Sequence, residues 1–394
     1  MTPNSHARQL FAQYEDFKLG HLRPSNCRHA VVIDEIRSLV IRSHGLLGME
    51  ELGTSLEGRS IHLVRCGTGP KRVLLWSQMH GDESTATLAL CDLFNFLVEA
   101  ASTAPWLATM LGQVTMQVIP MLNPDGAEAV CRHTATAVDM NRDARALATP
   151  EARILRETHR ALKPTFGFNL HDQDLSSVGN SKKVAALALL APTLDEKKTR
   201  PLSRVRAMRV CAVIARAMHQ FIDGHVATYD DAFEPRAFGD RMQSWGTSTM
   251  LIESGHWPKD REKAFVRKLN FVALLTALRA IGNGSFQDTE LEHYANLKPN
   301  GKQVYDLIIR NLKLVHPSGW SLRADVGISL GPEENRRSGA PVATIKEVGD
   351  LSTHAGLETL DGSARRVRSP LLVVEKQVPL SDLLDALQIY HGVS

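Results

Sequence analysis

Strand-like and helix-like segments alternate over residues 49–282, and this alternation restricts the fold more than any other feature of the sequence. Short apolar runs bounded by Gly, Pro or Asn predict strands, whereas apolar residues that recur every three or four positions predict helices. The run at residues 72–77 is apolar without alternation, as expected for a strand that is covered on both faces. Strands that alternate with helices favour an α/β fold, with a mostly parallel mixed sheet flanked by helices.

Polar residues with catalytic potential directly follow or lie close beyond three of these predicted strands. They are His80, His171 and Glu253. In a parallel sheet, the carboxyl ends of the strands lie along one edge, and ligands bind beyond that edge. We therefore expect the three side chains to lie near one another.

The length and the local composition predict more than one domain. A chain of 394 residues exceeds the size of one typical domain. Residues 1–48 have helical periodicity and are predicted to be an extension that packs on the main α/β domain, residues 49–290. Residues 296–394 contain short apolar runs separated by Gly, Pro and Asn, which predict a small β-rich C-terminal domain. Within it, a strand is expected at residues 371–374 and a helix at residues 381–389.

The composition argues against several classes of protein. A formal net charge of +3 gives no indication of nucleic-acid binding. There is no run of about 18 apolar residues that could span a membrane, so no membrane association is expected. The first residues lack a basic region followed by an apolar stretch, and we expect no signal peptide. The five cysteines are scattered and form no CxxC pair, which is typical of reduced thiols and predicts a cytoplasmic protein.

The residues at the predicted strand ends suggest a metal site. His80 and Glu83 form a His-x-x-Glu pair, and His171 is the best-placed third ligand. Two histidines and a carboxylate, with a fourth position open to water, are typical of catalytic zinc sites. Glu253 ends an apolar strand and has a glycine two residues beyond it, which makes it a candidate general base. On spacing alone, the His-x-x-Glu pair is equally consistent with a solvated loop.

Additional motifs give this pair its meaning, and one of them, residues 123–126, has the composition of a turn. They occur in one order between about residues 50 and 282: Glu57-Gly58-Arg59, His80-Gly81-Asp82-Glu83, Asn123-Pro124-Asp125-Gly126, Asp139-Met140-Asn141-Arg142, Asn169-Leu170-His171-Asp172 and Ile252-Glu253-Ser254-Gly255. With this set, the chain resembles the M14 family of zinc carboxypeptidases, in particular a bacterial subgroup with an appended β-rich domain. The resemblance implies a zinc carboxypeptidase-like fold, one Zn²⁺ ion per chain and removal of a C-terminal amino acid from a peptide, for which a cell-wall peptide is one option.

The resemblance also implies roles for the residues around the metal. His80, Glu83 and His171 match the zinc ligands. Asp139 matches the carboxylate that orients the first histidine, which fixes the tautomer of the ligand. Glu253 matches the general acid/base.

Other matching residues are implied to contact the substrate. Asn141 and Arg142 match the pair that binds the terminal carboxylate, for which the guanidinium fork is well suited. Arg132 matches the arginine that stabilises the oxyanion of the tetrahedral intermediate. Tyr229 is the best match to the substrate-capping tyrosine, with a half-buried tyrosine at a strand end as the alternative. Asp240 lies where the family builds the pocket for the terminal side chain, and would favour Lys, Arg or diaminopimelate; a surface-loop aspartate is the alternative.

Two other functions remain open at this point. Deacylases of the succinylglutamate desuccinylase and aspartoacylase type share the fold and a similar motif set, and they would act on an N-acyl amino acid. The intact motif at residues 123–126 and the long helix after Glu253 favour the peptidase. A binding protein without catalytic activity is the other alternative. Its usual sign is a missing ligand or base, and neither is missing here.

Overall fold

The protein is described by a computed structural model that covers residues 3–332, 341–368, 374 and 377–386. It forms two compact units. The first comprises Met1–Asp174, Ala186–His256 and Asp260–Pro299, and the second comprises Leu175–Ala185, Trp257–Lys259 and Asn300–Ser394. The predicted domain boundaries stay a prediction, because compactness alone does not define a domain that folds independently. None of the helices in the described ranges is long and apolar enough to cross a membrane.

The helices and strands are numbered in chain order. The helices are α1 (Pro3–Phe17), α2 (His29–Arg42), α3 (Thr85–Glu99), α4 (Pro105–Leu111), α5 (Pro124–Ala129), α6 (Pro150–Leu162), α7 (Leu202–Met218), α8 (Phe238–Ser244), α9 (Ala264–Asn283), α10 (Glu292–Ala295) and α11 (Leu380–Ala386). The strands are β1 (Leu47–Thr54), β2 (Ser60–Cys66), β3 (Lys71–Ser77), β4 (Val114–Ile119), β5 (Phe166–Asp172), β6 (Ser177–Val178), β7 (Leu187–Leu190), β8 (Val226–Thr228), β9 (Ser248–Ser254), β10 (Asn300–Gly301), β11 (Val304–Val315), β12 (Ser321–Pro332), β13 (Pro341–Gly349), β14 (Ala355–Asp361), β15 (Arg366–Arg368) and β16 (Gln377–Pro379).

The first unit is built on an eight-stranded mixed sheet in the order β1-β2-β4-β3-β5-β9-β7-β8. Its centre is parallel, since β3 pairs in parallel with both β4 and β5, and β5 pairs in parallel with β9. Strands β1, β2 and β7 add antiparallel pairs. The predicted fold class, an α/β fold with a mixed sheet flanked by helices, is therefore confirmed.

The central strands are buried on both faces. Residues 73–77 of β3 are all buried, which explains why the strand is apolar without alternation. Trp76 packs in a cluster with residues of β2, β4 and α8, such as Leu63, Ile119 and Phe238. Residues 85–97 of α3 are likewise buried throughout, because α3 contacts β5 and the helices α1, α2 and α9. The strand ends that carry polar residues are thus fixed by a well-packed core.

A buried ion pair fixes the N-terminal helices to this core. Asp92 of α3 forms a bidentate pair with Arg267 of α9, with the Arg267 Nε 2.6 Å from Asp92 Oδ2. The Tyr14 hydroxyl donates to the same carboxylate at 2.7 Å, and the backbone N–H of Leu19 donates to it at 2.8 Å. Arg267 also donates to the carbonyl oxygen of Leu22 at 2.7 Å. Such shared partners compensate the desolvation of both charges.

The second unit is β-rich in its described part. Its main sheet has the order β14-β11-β12-β13-β16, with β15 also paired to β11, and a separate ladder joins β6 to β10. The core consists of apolar residues from these strands and α11, for example Ile309, Val326, Ile345 and Leu383. Two predicted segments lie outside the described residues. They are the strand predicted at residues 371–374, of which only residue 374 is described, and the end of the predicted C-terminal helix, residues 387–389.

One local expectation is wrong. The turn chemistry of Asn123-Pro124-Asp125-Gly126 predicts a turn, whereas the motif begins helix α5. Asn123 is the cap, since its Oδ1 accepts a hydrogen bond from the N–H of Gly126 at 2.9 Å. Pro124 occupies the first helical position, where a missing N–H costs nothing. The same residue types favour turns and helix starts, and the contacts of the residues that follow the motif decide between the two.

Candidate metal centre and substrate site

Two histidines and a glutamate meet at the carboxyl edge of the sheet. One ligand atom from each of His80, Glu83 and His171 can be chosen so that all three lie within 4.8 Å of one another. Nδ1 of His80 is 2.6 Å from Oε1 of Glu83, and Nδ1 of His171 is 2.7 Å from Oε2 of the same carboxylate. All three residues are buried. The structure therefore brings together the three predicted ligands.

The turn between β3 and α3 determines where two of these ligands point. Gln78 directly follows β3 and has a positive φ of 51°, and its side-chain amide donates to the carbonyl oxygen of Gly81 at 2.8 Å. This bond closes the turn that carries His80 and Glu83. Because β3 and β5 are parallel neighbours, His171 emerges beside the turn, with its ring centroid 4.8 Å from that of His80.

The donor set fits a single zinc ion. Two imidazole nitrogens and one carboxylate are the ligands of many catalytic zinc sites. Burial alone would raise the pKa of the Glu83 carboxyl, but the charge of His171 and the hydrogen bonds from both histidines hold this pKa well below its ordinary value. The carboxylate is therefore ionised, as metal binding requires. His80, Glu83 and His171 would hold the ion.

Asp139 connects this group to two other predicted site residues. Its Oδ1 lies 3.2 Å from Nε2 of His80, which leaves Nδ1 of that ring for the metal. Its Oδ2 accepts hydrogen bonds from Nε and Nη2 of Arg132 at 3.2 and 3.1 Å. Arg132 also approaches the metal group directly, with Nη1 3.5 Å from Oε1 of Glu83. The side chain of Arg132 is 41% exposed, so it lies at the open side of the centre.

Glu253 lies on the next strand beside His171. The two residues are register partners in the parallel β5–β9 pair. Glu253 is buried, and within the described part of the chain its Oε2 has no hydrogen-bond partner. Burial raises the pKa of Glu253 to about 8. The charge of His171 opposes this shift, and the charge of Glu83 reinforces it. A carboxyl group with such a pKa can both accept and return a proton near neutral pH.

Asn141 and Arg142 follow Asp139 in a 3-10 turn, Met140–Arg142. The Asn141 side chain is fixed, because its Oδ1 accepts a hydrogen bond from the N–H of Phe238 at 2.9 Å. The Arg142 side chain is 42% exposed, and its Nε lies 3.6 Å from Oε2 of Glu234. Arg142 thus extends into solvent beside the site, with a carboxylate of the protein already close to its guanidinium group.

The structure places Tyr229 within electrostatic range of the centre. Tyr229 follows β8 and is 36% exposed. Burial, with contributions from the charges of Glu253 and Glu83, raises its pKa to about 12. The hydroxyl group is therefore protonated and can donate a hydrogen bond. This position is compatible with both predictions made for Tyr229.

Asp240 is not the surface-loop aspartate that the sequence left open. It lies in the first turn of α8 and is buried. Its Oδ1 accepts a hydrogen bond from the hydroxyl of Thr193 at 3.1 Å. Burial raises the pKa of Asp240 to about 6, although hydrogen bonds from the Glu234 backbone and from Thr193 oppose the shift. The surface alternative is wrong, and the pocket role stays a prediction.

Sequence reasoning missed several residues that adjoin the site. Asp172, Thr85 and Lys263 form a hydrogen-bonded group beside the metal ligands, and Glu234 pairs with Arg142. Asp172 and Thr85 are close in sequence to His171 and Glu83, which was the available signal. Lys263 and Glu234 are distant in sequence from their partners, and no local pattern distinguishes them.

The mixed sheet carries at its edge a His–Glu–His group that could hold a metal ion. The family model described as zinc carboxypeptidase matches residues 32–175, a range that contains all predicted site residues except Tyr229, Asp240 and Glu253. Residues 32–175 therefore resemble the zinc carboxypeptidases, a family whose description names zinc as its metal. The resemblance seen in the sequence is thereby confirmed.

Curated relatives are similar over a limited length. "Probable carboxypeptidase 2" of Arthroderma benhamiae is 29% identical over 119 residues, which are 30% of this chain and 21% of that protein. "Carboxypeptidase M" of Mus musculus is 26% identical over 102 residues, or 24% of this chain and 23% of that protein. The aligned segment spans about a fifth of the length of these relatives.

Solved structures establish the fold. A metallo-carboxypeptidase from Burkholderia cenocepacia superimposes with a TM-score of 0.52 and 18% identity, covering 64% of this chain and 69% of that one. Thrombin activatable fibrinolysis inhibitor superimposes with a TM-score of 0.54 and 12% identity, covering 71% and 81%. At these identities the similarity is one of fold, and it confirms the predicted carboxypeptidase-like architecture.

Proposed function

We propose that this protein is a zinc-dependent carboxypeptidase that removes the C-terminal amino acid of a peptide. One observation carries the proposal: the Asp139 carboxylate connects a metal ligand, an arginine and the Asn141–Arg142 turn. It accepts hydrogen bonds from His80 and Arg132, and its Oδ1 also accepts the N–H of Asn141 at 2.8 Å. Asp139 thus fixes the positions of His80, which is suited to bind a metal, Arg132, which is suited to bind an oxyanion, and the turn of Asn141 and Arg142, which is suited to bind a carboxylate, relative to one another.

Each residue has a chemical role in this proposal. When bound, zinc supplies a Lewis acid and lowers the pKa of a water molecule. Glu253 takes a proton from the attacking water and returns it to the leaving amine. Arg132 stabilises the oxyanion as it forms. Arg142 and Asn141 bind the terminal carboxylate, so that the scissile carbonyl lies beside Glu253.

The choice of substrate is also part of the proposal. We propose that Asp240 favours a basic terminal side chain, such as Lys, Arg or diaminopimelate, and that Tyr229 closes over the bound residue. Support for Asp240 is its buried carboxyl next to Thr193, since a buried charge gains most from a paired cation. Support for Tyr229 is its electrostatic coupling to Glu253.

We further propose a cytoplasmic location. The support is the state of the five cysteines, which are all free, and four of which are buried. Free thiols without disulfides are typical of reducing compartments. Fractionation of cells that express the tagged protein tests the location, and recovery in an extracellular or periplasmic fraction would contradict it.

Metal analysis followed by a substrate panel tests the activity. The purified protein is expected to contain about one zinc ion per chain, as catalytic sites of this ligand set do. The panel contains peptides with basic, diaminopimelate and apolar C-termini, together with N-acyl amino acids. The proposal expects release of the terminal residue from peptides, and Glu253→Gln should retain zinc and lose about 10²-fold or more of the turnover. Cleavage of N-acyl amino acids alone would overturn it in favour of a deacylase.

A further inference from the structure

A lysine outside the predicted site contacts the segments that carry two of the site residues. The Nζ of Lys263 is 3.1 Å from Oδ2 of Asp172, and it donates to the carbonyl oxygen of Ser254 at 3.3 Å. Asp172 directly follows His171 on β5, and Ser254 directly follows Glu253 on β9. The Lys263 side chain is only 16% exposed. One ammonium group therefore connects the strand end of a metal ligand to the strand end of the proposed base.

The same group reaches the third ligand through Asp172. The hydroxyl of Thr85, two residues after Glu83, donates to Oδ2 of Asp172 at 2.5 Å. The backbone N–H of Asp172 donates to Oε2 of Glu83 at 3.2 Å. Asp172 is thus bonded on one side to Lys263 and on the other to the start of α3. We call the group of Lys263, Asp172 and Thr85 the lysine clamp. It joins the segments that position Glu83, His171 and Glu253.

Electrostatics explains why a cation is needed in this place. The Asp172 side chain is only 12% exposed, and the Glu83 carboxylate lies near it. Lys263 pairs with Asp172, and Arg132 approaches Glu83 from the open side. A buried carboxylate without a paired cation is costly, and the segment that carries it relaxes to regain water. Lys263 therefore keeps Asp172 in place as well as contacting it.

The backbone around Lys263 is itself held in an uncommon conformation. Lys263 has a φ of 51°, in the left-handed region that a residue with a side chain rarely adopts. Its N–H donates to the carbonyl oxygen of Asp260 at 3.0 Å, and its own carbonyl oxygen accepts the N–H of Arg267 at 2.7 Å. These bonds orient the Lys263 side chain toward the strand ends. Strained residues that are fixed in this way cluster near functional sites.

We propose that Lys263 is a positioning residue that holds the general base Glu253 in register with the metal ligands, acting through Asp172 and the Ser254 carbonyl. The inference rests on the proposed function, because Glu253 is the base only in that reaction. Lys263 does not contact the substrate. Its loss is expected to alter the placement of Glu253 relative to the metal group. Asn141 and Arg142, the proposed binding residues for the substrate carboxylate, should keep their positions.

Lys263→Met tests the inference, because methionine keeps an unbranched apolar stem and removes the charge. We expect kcat to fall about 10- to 100-fold, as for other residues that orient metal ligands, and KM to change by less than about twofold. Zinc binding by the metal-free protein, measured by competition with a chelator, should weaken about tenfold with the stoichiometry unchanged. Lys263→Arg keeps the cation and should restore part of the kcat and part of the zinc affinity.

Lys268→Met is the matched control. Lys268 lies on α9, the helix that begins directly after Lys263. Its side chain is 14% exposed, and it pairs with Glu15 at 3.4 Å, away from the metal group. We expect wild-type kcat and zinc affinity in this variant. If Lys263→Met unfolds, Lys263→Gln, which removes the charge and keeps a polar end, decides: a kcat below wild type with normal melting temperature and KM supports the clamp, and wild-type kcat and zinc affinity overturn it.

The two parts of the experiment separate this inference from the proposed function. A wild-type protein that cleaves no peptide refutes the proposed function, whereas the zinc competition still measures the effect of Lys263 on the metal group. A wild-type protein that cleaves peptides, together with a Lys263→Met variant of unchanged kcat and zinc affinity, refutes the lysine clamp alone. A parallel loss of kcat in Lys268→Met would also overturn the lysine clamp, since the effect would then not be specific to Lys263.

Discussion

Gly81 packs directly against the backbone of Gly126, so closely that a methyl group on Gly81 would lie 1.9 Å from the Gly126 carbonyl carbon. The two residues belong to the motifs His80-Gly81-Asp82-Glu83 and Asn123-Pro124-Asp125-Gly126. A methyl group on Gly126 would in turn lie 2.7 Å from the carbonyl oxygen of His133. The metal-ligand turn and the start of α5 are therefore fitted to each other through backbone atoms, which explains a glycine in each motif.

Gly81→Ala is expected to destabilise the protein and weaken zinc binding. The added carbon meets backbone, which cannot rotate away, and overpacking of this kind costs about 1–3 kcal/mol. The turn that carries His80 and Glu83 should shift to relieve the contact. Chemical denaturation and chelator competition measure the two effects. Gly48→Ala is the control, because the space around Gly48 is open. Equal stability of both variants would contradict the packing argument.

Zinc binding is expected to release a proton from Glu253. The pKa of Glu253 is raised to about 8 in the metal-free chain, so the group is largely protonated at neutral pH. A bound cation lowers the pKa of a nearby carboxyl group, and the proton is then lost. Calorimetric zinc titrations in two buffers with different ionisation enthalpies count the protons. Glu253→Gln should release up to about one proton fewer per zinc than wild type, and the surface variant Glu157→Gln should match wild type.

Glu234 is expected to compete with the substrate for Arg142. Its Oε2 lies 3.6 Å from Nε of Arg142, and hydrogen bonds from Arg236 lower the pKa of Glu234 to about 2, so it is charged at neutral pH. Glu234→Gln should free the guanidinium and lower KM about two- to fivefold, with kcat unchanged, since exposed ion pairs are weak. Asp34→Asn, which removes a charge from a distant exposed pair with Arg37, is the control. A raised KM would show that Glu234 orients Arg142 instead.

A preference for basic ends should depend on pH through Asp240. The pKa of Asp240 is raised to about 6, so the group is charged above this pH and neutral below it. Attraction to a basic side chain is therefore present above about pH 6 and lost as the pH falls through that value. The ratio of kcat/KM for Lys-ended and Leu-ended peptides measures the effect. Asp240→Asn should give a lower, pH-independent ratio, while Asp195→Asn, at an exposed carboxylate, should keep the wild-type profile.

The parts of the site that the sequence predicted are those with a local signal. His80, His171 and Glu253 were placed at one edge because apolar runs end at or just before them, and parallel strands end at the same edge. The burial of β3 followed from its apolar composition in the same way. The start of α5 was predicted as a turn, since Asn123 and Pro124 are favoured in turns and at helix starts alike.

The amino-acid sequence by itself determined the α/β class, the metal-ligand residue types and the edge of the sheet on which they lie. These features depend on periodicity and on short motifs, which are properties of neighbouring residues. Only the tertiary structure decided which distant groups complete the site: Lys263 with Asp172, Glu234 with Arg142, and Gly81 with Gly126. Such pairs are set by how helices and loops pack on the sheet, and packing brings together residues whose sequence separation carries no signal.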